Sequence, residues 1–344
     1  MSKNLTSKQR INALAQLGDI LKNPDADLNT LINSSQQYNA WFTPENTAKA
    51  IAAIAQMLNQ KDLESWISET DPEKKSFNIG LVLAGNIPLV GFHDILSVLG
   101  SGNRALIKLS SQDNKLSPYI LKKLAEIQPE FESLISYVDR LTDYQAVIAT
   151  GSNNTSRYFE YYFSKVPHII RKNRNSVAVL SGNETVEDLK ALGNDIFDYF
   201  GLGCRNVSKI YVPKGYKFDY FFESIEEFKY VNDHHKYNNN YDYNKSIFLV
   251  NMDQHLDNGF LLLKEDKRLA SPLAVVYFEE YNNIRELDEE LKRIEDQIQC
   301  IITKTALNSR TYGFGMSQQP GLWDYADGID TMKFLNELDL LVSD

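Results

Sequence analysis

The chain of 344 residues is 43% hydrophobic and 24% charged, ordinary for a soluble globular protein and long enough for two domains. Its formal net charge of -10 leaves no basic excess to neutralise phosphates, which argues against nucleic acid as the main partner. Two cysteines in unlike contexts, no signal-peptide core in Met1-Ser2-Lys3-Asn4-Leu5-Thr6, and no apolar run near the ~20 residues of a membrane span together set the expectation of a reducing, cytoplasmic location.

The first quarter reads as helical. Ile11, Leu14, Leu17, Ile20 and Leu21 recur at helical spacing, as do Ile51, Ile54 and Leu58, and Thr43-Pro44 is a start signal for the second set. From Asn78 the texture changes to short apolar runs at 79–84, 104–109, 146–149 and 177–180, separated by helix-like stretches at 93–99, 117–127 and 156–163. Ser117-Pro118 reads as a cap and first residue of the middle helix. Strand–helix repeats with continuously apolar strands predict a parallel sheet covered on both faces. A helix at 186–200 and a strand at 209–212 follow. The polar, aromatic-rich stretch 231–243 shows no clear period and reads as a loop. His234 and His235 within it have no second ligand pair at metal spacing, so no metal site is expected. Strands are predicted at 260–263, 273–278 and 298–302, with a helix at 284–294.

Cys204 lies between the glycine-punctuated Gly201-Leu202-Gly203 and the strand beginning near Lys209. Glycines there let the backbone take left-handed turns that present a thiol. On local context it reads equally as a nucleophile or as a buried structural thiol. Cys300, in Ile298-Gln299-Cys300-Ile301-Ile302, reads as core. Arg205 and Lys209 are close enough in sequence to favour a Cys204 thiolate or to face solvent.

Three other segments carry chemistry. Ala84-Gly85-Asn86-Ile87-Pro88 follows a predicted strand, where ligands bind in open α/β sheets, although alone it reads as a simple turn. Lys108, Ser110 and Ser111 end the next strand and suit a ribose hydroxyl or a phosphate. Gly151-Ser152 opens a strand-to-helix turn whose amides suit a pyrophosphate, without the full G-x-G-x-x-G pattern.

Taken in order, these segments resemble the aldehyde dehydrogenase superfamily from about Gly80 to Pro213, with weaker agreement over 270–275. Asn86 matches the asparagine of W-N-x-P, Lys108 the lysine of K-P-S-E, Gly151-Ser152 the cofactor turn and Cys204 the thiol of G-Q-x-C. Within the superfamily the chain is similar to the acyl-CoA reductase branch that includes the LuxC-like fatty-acyl reductase of bacterial luminescence. Phe314-Gly315-Met316-Ser317-Gln318-Gln319-Pro320 with Trp323, Asp327 and Gly328 matches that branch's C-terminal signature, and the general-base motif E-L-G-G is missing from 168–175.

The resemblance implies an α/β fold with two Rossmann-related domains after an N-terminal helical segment. The domains would be 1–180 (helical lead-in and dinucleotide binding), 181–315 (catalytic thiol) and 316–344 (a C-terminal segment closing the cleft). It implies reduction of an acyl-CoA or acyl-protein thioester to an aldehyde. Cys204 would be the nucleophile and Asn86 the oxyanion donor, with Lys108, Ser110, Ser111, Gly151 and Ser152 binding the cofactor. NADPH is the expected cofactor and NADH its alternative, because Ser111 replaces the glutamate of K-P-S-E, with Asp113 the nearest acid. A missing base predicts an acyl-enzyme that resists water unless Glu184 or Glu265 supplies one. A homo-oligomer is compatible with this reading. The readings left open are a reductase of acyl phosphates and a binding module that has lost catalysis.

Overall fold

The structure is a computed structural model and describes residues 5–67 and 75–342. It divides into two compact units, Met1–Asn173 with Pro320–Asp344, and Arg174–Gln319.

The first unit opens with helices α1 (Ser7–Lys22), α2 (Ala26–Tyr38), α3 (Pro44–Met57) and α4 (Gln60–Trp66). Thr6 caps α1 in a reciprocal capping box with Gln9, and the Thr43 side chain caps α3, each worth about 1 kcal/mol. Ile11, Leu14, Leu17 and Leu21 form the buried stripe of α1, contributing about 1.5–3 kcal/mol apiece.

The sheet follows as β1 (Asn78–Val82), α5 (Phe92–Gly100), β2 (Arg104–Lys108), α6 (Leu116–Ile127), β3 (Ile135–Tyr137), β4 (Ala146–Thr150), α7 (Asn153–Phe163) and β5 (His168–Arg171). Its order is β3-β2-β1-β4-β5 and every pairing is parallel. Ile79 and Leu81 of β1 and Ala146 to Ala149 of β4 are almost fully buried, as strands covered on both faces must be. Strands β3 and β5 are too short and polar to register as apolar runs. Helix α6 starts at Leu116 after Lys115, with no side-chain cap bond, so Ser117 is a buried first-turn residue rather than the cap. Pro118 still falls in the first turn, where its missing N–H costs nothing. Residues 320–342 return to this unit. His93 Nε2 lies 3.0 Å from the Leu322 carbonyl, Trp66 Nε1 donates to Tyr325 Oη at 2.7 Å, and α12 (Thr331–Asn336) packs on α5.

The second unit comprises β6 (Asn175–Val179), α8 (Val186–Phe197), β7 (Val207–Pro213), α9 (Asp219–Ser224), α10 (His235–Asn251), β8 (Leu256–Asp257), β9 (Leu262–Glu265), β10 (Val275–Tyr281), α11 (Ile284–Arg293) and β11 (Ile298–Ile302). Strand order is β11-β6-β7-β10-β9-β8, parallel except for the antiparallel β8–β9 edge. Val177, Val179, Tyr211, Leu287, Leu291, Ile298 and Ile301 form a core cluster under α11. The loop expected at 231–243 is instead the end of a 3-10 turn and most of α10. Its buried stripe is Tyr237, Tyr241, Asn244 and Phe248, a helical spacing disguised because three of the four side chains are polar. Tyr237 Oη donates to the Phe260 carbonyl at 2.9 Å and Asn244 Nδ2 to the Leu273 carbonyl at 2.9 Å, which is how those polar atoms tolerate burial. The α/β architecture with two parallel sheets after a helical lead-in agrees with the sequence reading.

Candidate active site

In the first unit, three turns leave the carboxyl ends of the neighbouring strands β2, β1 and β4. The order 3-2-1-4-5 reverses between β1 and β4, and such a switch point is where open α/β sheets bind ligands. Asn86, Lys108, Ser110, Ser111, Gly151 and Ser152 therefore gather on one sheet edge.

The Asn86 turn and the Lys108–Asp113 loop interlock. Gly85 approaches Ser110 so closely that a Cβ would lie 2.5 Å from Ser110 Oγ. The Leu89 amide, at a left-handed φ of 59°, donates to Asp113 Oδ2 at 2.8 Å. Asp113 is buried, and burial raises its pKa to about 6 against the opposing pull of the Leu89 and Leu116 amides. Its carboxyl thus fastens the Asn86 turn from inside. Ser110 Oγ also accepts the Gln112 amide at 3.2 Å, whereas Lys108 and Ser111 are exposed.

Gly151 permits the β4–α7 turn, because a Cβ there would lie 2.9 Å from the Phe159 ring and 3.0 Å from Thr155 Cβ. Ser152 caps α7 by accepting the Thr155 amide at 3.3 Å, and no acid occupies the helix's first turn. A close-packed glycine and an uncrowded helix N-terminus after β4, with an exposed lysine and serine at the end of β2 on the other side of β1, fit a dinucleotide's phosphates and ribose.

The first half of the segment lacking the base motif forms β5, and sequence reasoning missed the last residue of that strand. Arg171 is buried and grips Asp94 with two bonds, Nε to Oδ2 at 3.1 Å and Nη2 to Oδ1 at 2.6 Å. It also donates to the Ala326 carbonyl at 2.6 Å and to Thr331 Oγ1 at 2.8 Å. Asp94 is in the first turn of α5, the helix that follows the Asn86 turn.

In the second unit Cys204 is exposed and Cys300 buried, and no disulfide joins them. Cys204 follows three successive residues at positive φ, Tyr199 (53°), Phe200 (57°) and Gly201 (79°). Glycine adopts this conformation freely, but a tyrosine and a phenylalanine pay roughly 1–2 kcal/mol each. Their rings are buried, and Phe200 lies 4.4 Å from the His234 ring. The Cys204 carbonyl is held by Ser176 Oγ at 2.9 Å.

Both neighbouring cations have partners besides the Cys204 thiol. Lys209 is buried on β7, donating to Glu279 Oε2 at 2.6 Å and to the Lys267 carbonyl at 2.9 Å, and Arg205 Nη1 lies 3.2 Å from Cys300 Sγ. Lys209 thus balances Glu279 rather than a thiolate. Glu184 folds onto its own turn, accepting from the Ser181 and Gly182 amides at 2.6 and 3.0 Å. Among the described residues no three His, Cys, Asp or Glu side chains group as a metal site requires.

A family model described as acyl-CoA reductase (LuxC) matches residues 6–221, more than half of the chain. The chain belongs to the LuxC acyl-CoA reductase family. It is accordingly an oxidoreductase of acyl and aldehyde groups. No curated protein sequence matches it. Solved structures extend the fold relationship. An aldehyde dehydrogenase from Mycobacterium tuberculosis complexed with NAD+ superposes with a TM-score of 0.64 at 13% identity, covering 90% of this chain and 78% of that one. Aldehyde dehydrogenase 21 from Physcomitrella patens, in complex with the reaction product succinate, gives 0.64 at 12% over 98% and 85%. An NADP-dependent enzyme from E. coli gives 0.61 at 12% over 92% and 85%. At these identities the likeness establishes the aldehyde-dehydrogenase-like fold for this LuxC-family chain.

Proposed function

We propose that this LuxC-family protein reduces an acyl-CoA thioester to an aldehyde through an acyl-enzyme on Cys204. The observation that carries the reading is an exposed cysteine on a strained turn, in a chain of this family, with its carbonyl tied back to Ser176. The Cys204 thiolate attacks the thioester carbonyl. The Asn86 side-chain amide and the Cys204 backbone N–H stabilise the oxyanion, and CoA leaves as its thiolate. Lys108, Ser110, Ser111, Gly151 and Ser152 would hold a reduced nicotinamide, which would supply the hydride that reduces the acyl thioester on Cys204 to the aldehyde. That step returns the Cys204 thiolate.

Two observations support thioester reduction over hydrolysis. The segment in the position of the missing base motif presents an arginine locked to Asp94, and Glu184 is committed to its own loop. NADPH is the proposed cofactor. Ser111 is neutral and exposed beside the exposed Lys108, and the nearest acid, Asp113, is turned inward onto Leu89. The test is intact-protein mass spectrometry with a panel of acyl-CoA thioesters. One acyl group should attach at Cys204, persist in buffer, and be lost as aldehyde when NADPH is added. Acyl-CoA that leaves the protein unmodified, or an adduct released as free acid at the rate of its aldehyde formation, would refute the reading.

A further inference from the structure

The turn bearing Cys204 is fastened by a residue that no motif marks. Asn206 is 4% exposed, and both ends of its side chain are used. Nδ2 donates to the carbonyls of Asp195, Ile196 and Asp198 at 3.1, 3.3 and 2.8 Å, gathering the unpaired carbonyls where α8 ends. Oδ1 accepts the Gly203 amide at 2.9 Å, one residue before the cysteine. The Asn206 amide itself donates to the Gly203 carbonyl at 3.0 Å and closes the turn around Cys204. Only an amide side chain offers donors to the helix and an acceptor to the turn at once. Aspartate would set an anion against three carbonyls, and leucine would strand them all.

The segment bridged by Asn206 is the strained one. Tyr199, Phe200 and Gly201 reverse the chain through the left-handed region, a conformation that persists only where its surroundings over-determine it. Asn206 binds the chain on both sides of that reversal. On the other side of Cys204, Ser176 holds its carbonyl from β6. The same last turn of α8 carries Asp195, which is 1% exposed and accepts the Gly315 and Ser317 amides at 2.7 and 3.0 Å. The C-terminal signature and the cysteine turn therefore hang on one helix end.

We propose that Asn206 is a positioning residue for Cys204, fixing the thiol by tying its turn to the end of α8, with Ser176 as the second anchor. This rests on Cys204 being the nucleophile. A nucleophile displaced by about 1 Å loses on the order of 100-fold in rate, so the anchor's value lies in geometry more than in stability.

The experiment compares wild type with Asn206→Ala and Ser176→Ala. Acylation by octanoyl-CoA is followed by intact mass, iodoacetamide labelling of Cys204 is measured across pH, and thermal melting is recorded. Asn206→Ala should slow acylation on the order of 100-fold and move the pH midpoint of labelling, while the folded protein persists at assay temperature. Ser176→Ala, which leaves the α8 carbonyls paired, should slow acylation about tenfold, the scale of one lost hydrogen bond. If Asn206→Ala does not fold, Asn206→Ser, which keeps one donor and one acceptor at the position, decides the matter by the same two readouts. Unchanged acylation in the folded variants overturns the proposal. Slower acylation with an unmoved labelling profile also overturns it, because the role would then be structural. Wild-type protein that iodoacetamide labels but no acyl-CoA of the panel acylates would defeat the proposed function instead, and the labelling profile would still decide the positioning role.

Discussion

Replacing Arg171 by methionine should destabilise the first unit by about 3–5 kcal/mol, the penalty for leaving one member of a buried ion pair without the other. The side chains of Arg171 and Asp94 are 3% and 8% exposed, so water cannot take over the bonds that are lost. The substitution strands the Asp94 carboxylate and frees the Ala326 carbonyl and Thr331 hydroxyl, loosening the return of residues 320–335 onto α5. All three tryptophans, Trp41, Trp66 and Trp323, belong to this unit, so tryptophan fluorescence reports its unfolding selectively. With a urea dependence of about 3 kcal/mol per molar, the midpoint should fall by roughly 1–1.7 M. A double substitution, Arg171→Met with Asp94→Leu, should recover a large part of the loss, because it removes the stranded charge. A midpoint shift below about 0.3 M, or a double variant no more stable than Arg171→Met, would refute the argument. The partition of the acyl group between aldehyde and free acid should not change in the folded variant, since Arg171 holds structure and stands in for no base.

Cys204→Ala should abolish acylation with the melting temperature nearly unchanged, and transfer of the acyl group to Cys300 would contradict the assignment. Asn86→Ala should lower acyl-enzyme formation about 100- to 1,000-fold, the usual effect of losing an oxyanion donor, measured as a single-turnover rate with secondary structure checked by circular dichroism. Titrating the apoprotein with both reduced cofactors should show tighter NADPH binding, and Ser111→Glu should weaken NADPH more than NADH; tighter NADH binding by wild type would reverse the reading. Asp113 should make stability depend on pH. Its folded pKa of about 6 exceeds the ordinary carboxyl value, so its contribution is complete below about pH 4 and lost as pH rises through 6, a difference of about 3 kcal/mol. Asp113→Asn should remove that dependence, and a gap between variant and wild-type urea midpoints that stays constant from pH 4.5 to 7.5 would show that the carboxyl does not titrate in this way.

The elements legible in the sequence are those governed by short-range rules. Thr43-Pro44 starts α3 because a cap and a first-turn proline act within one turn, and Thr43 Oγ1 accepts the Asn46 amide as expected. The apolar runs of β1, β4 and β6 announce buried parallel strands because a strand covered on both faces leaves few positions for polar side chains. The order of the Asn86, Lys108, Gly151 and Cys204 segments was readable for a related reason. Each is a turn at a strand or helix end, where glycine and small polar residues are demanded locally.

What only the tertiary structure decided depends on partners far along the chain. Nothing in the local sequence marks Arg171 until Asp94, 77 residues earlier, closes on it. Lys209 reads as a cation near a thiol until β10 brings Glu279, 70 residues later, to its ammonium. Helix α10 hid because its stripe of tyrosines and an asparagine is polar in the sequence and becomes core only when the Phe260 and Leu273 carbonyls take up its polar atoms. The left-handed Tyr199–Phe200 pair has no sequence signature, since an isolated chain would avoid that conformation; burial of the two rings and the four bonds of Asn206 hold it in place. Local sequence selects strands, caps and turns because their free energy is settled within a few residues, whereas the charges and strain around the site are settled by contacts that exist only once the sheets have formed.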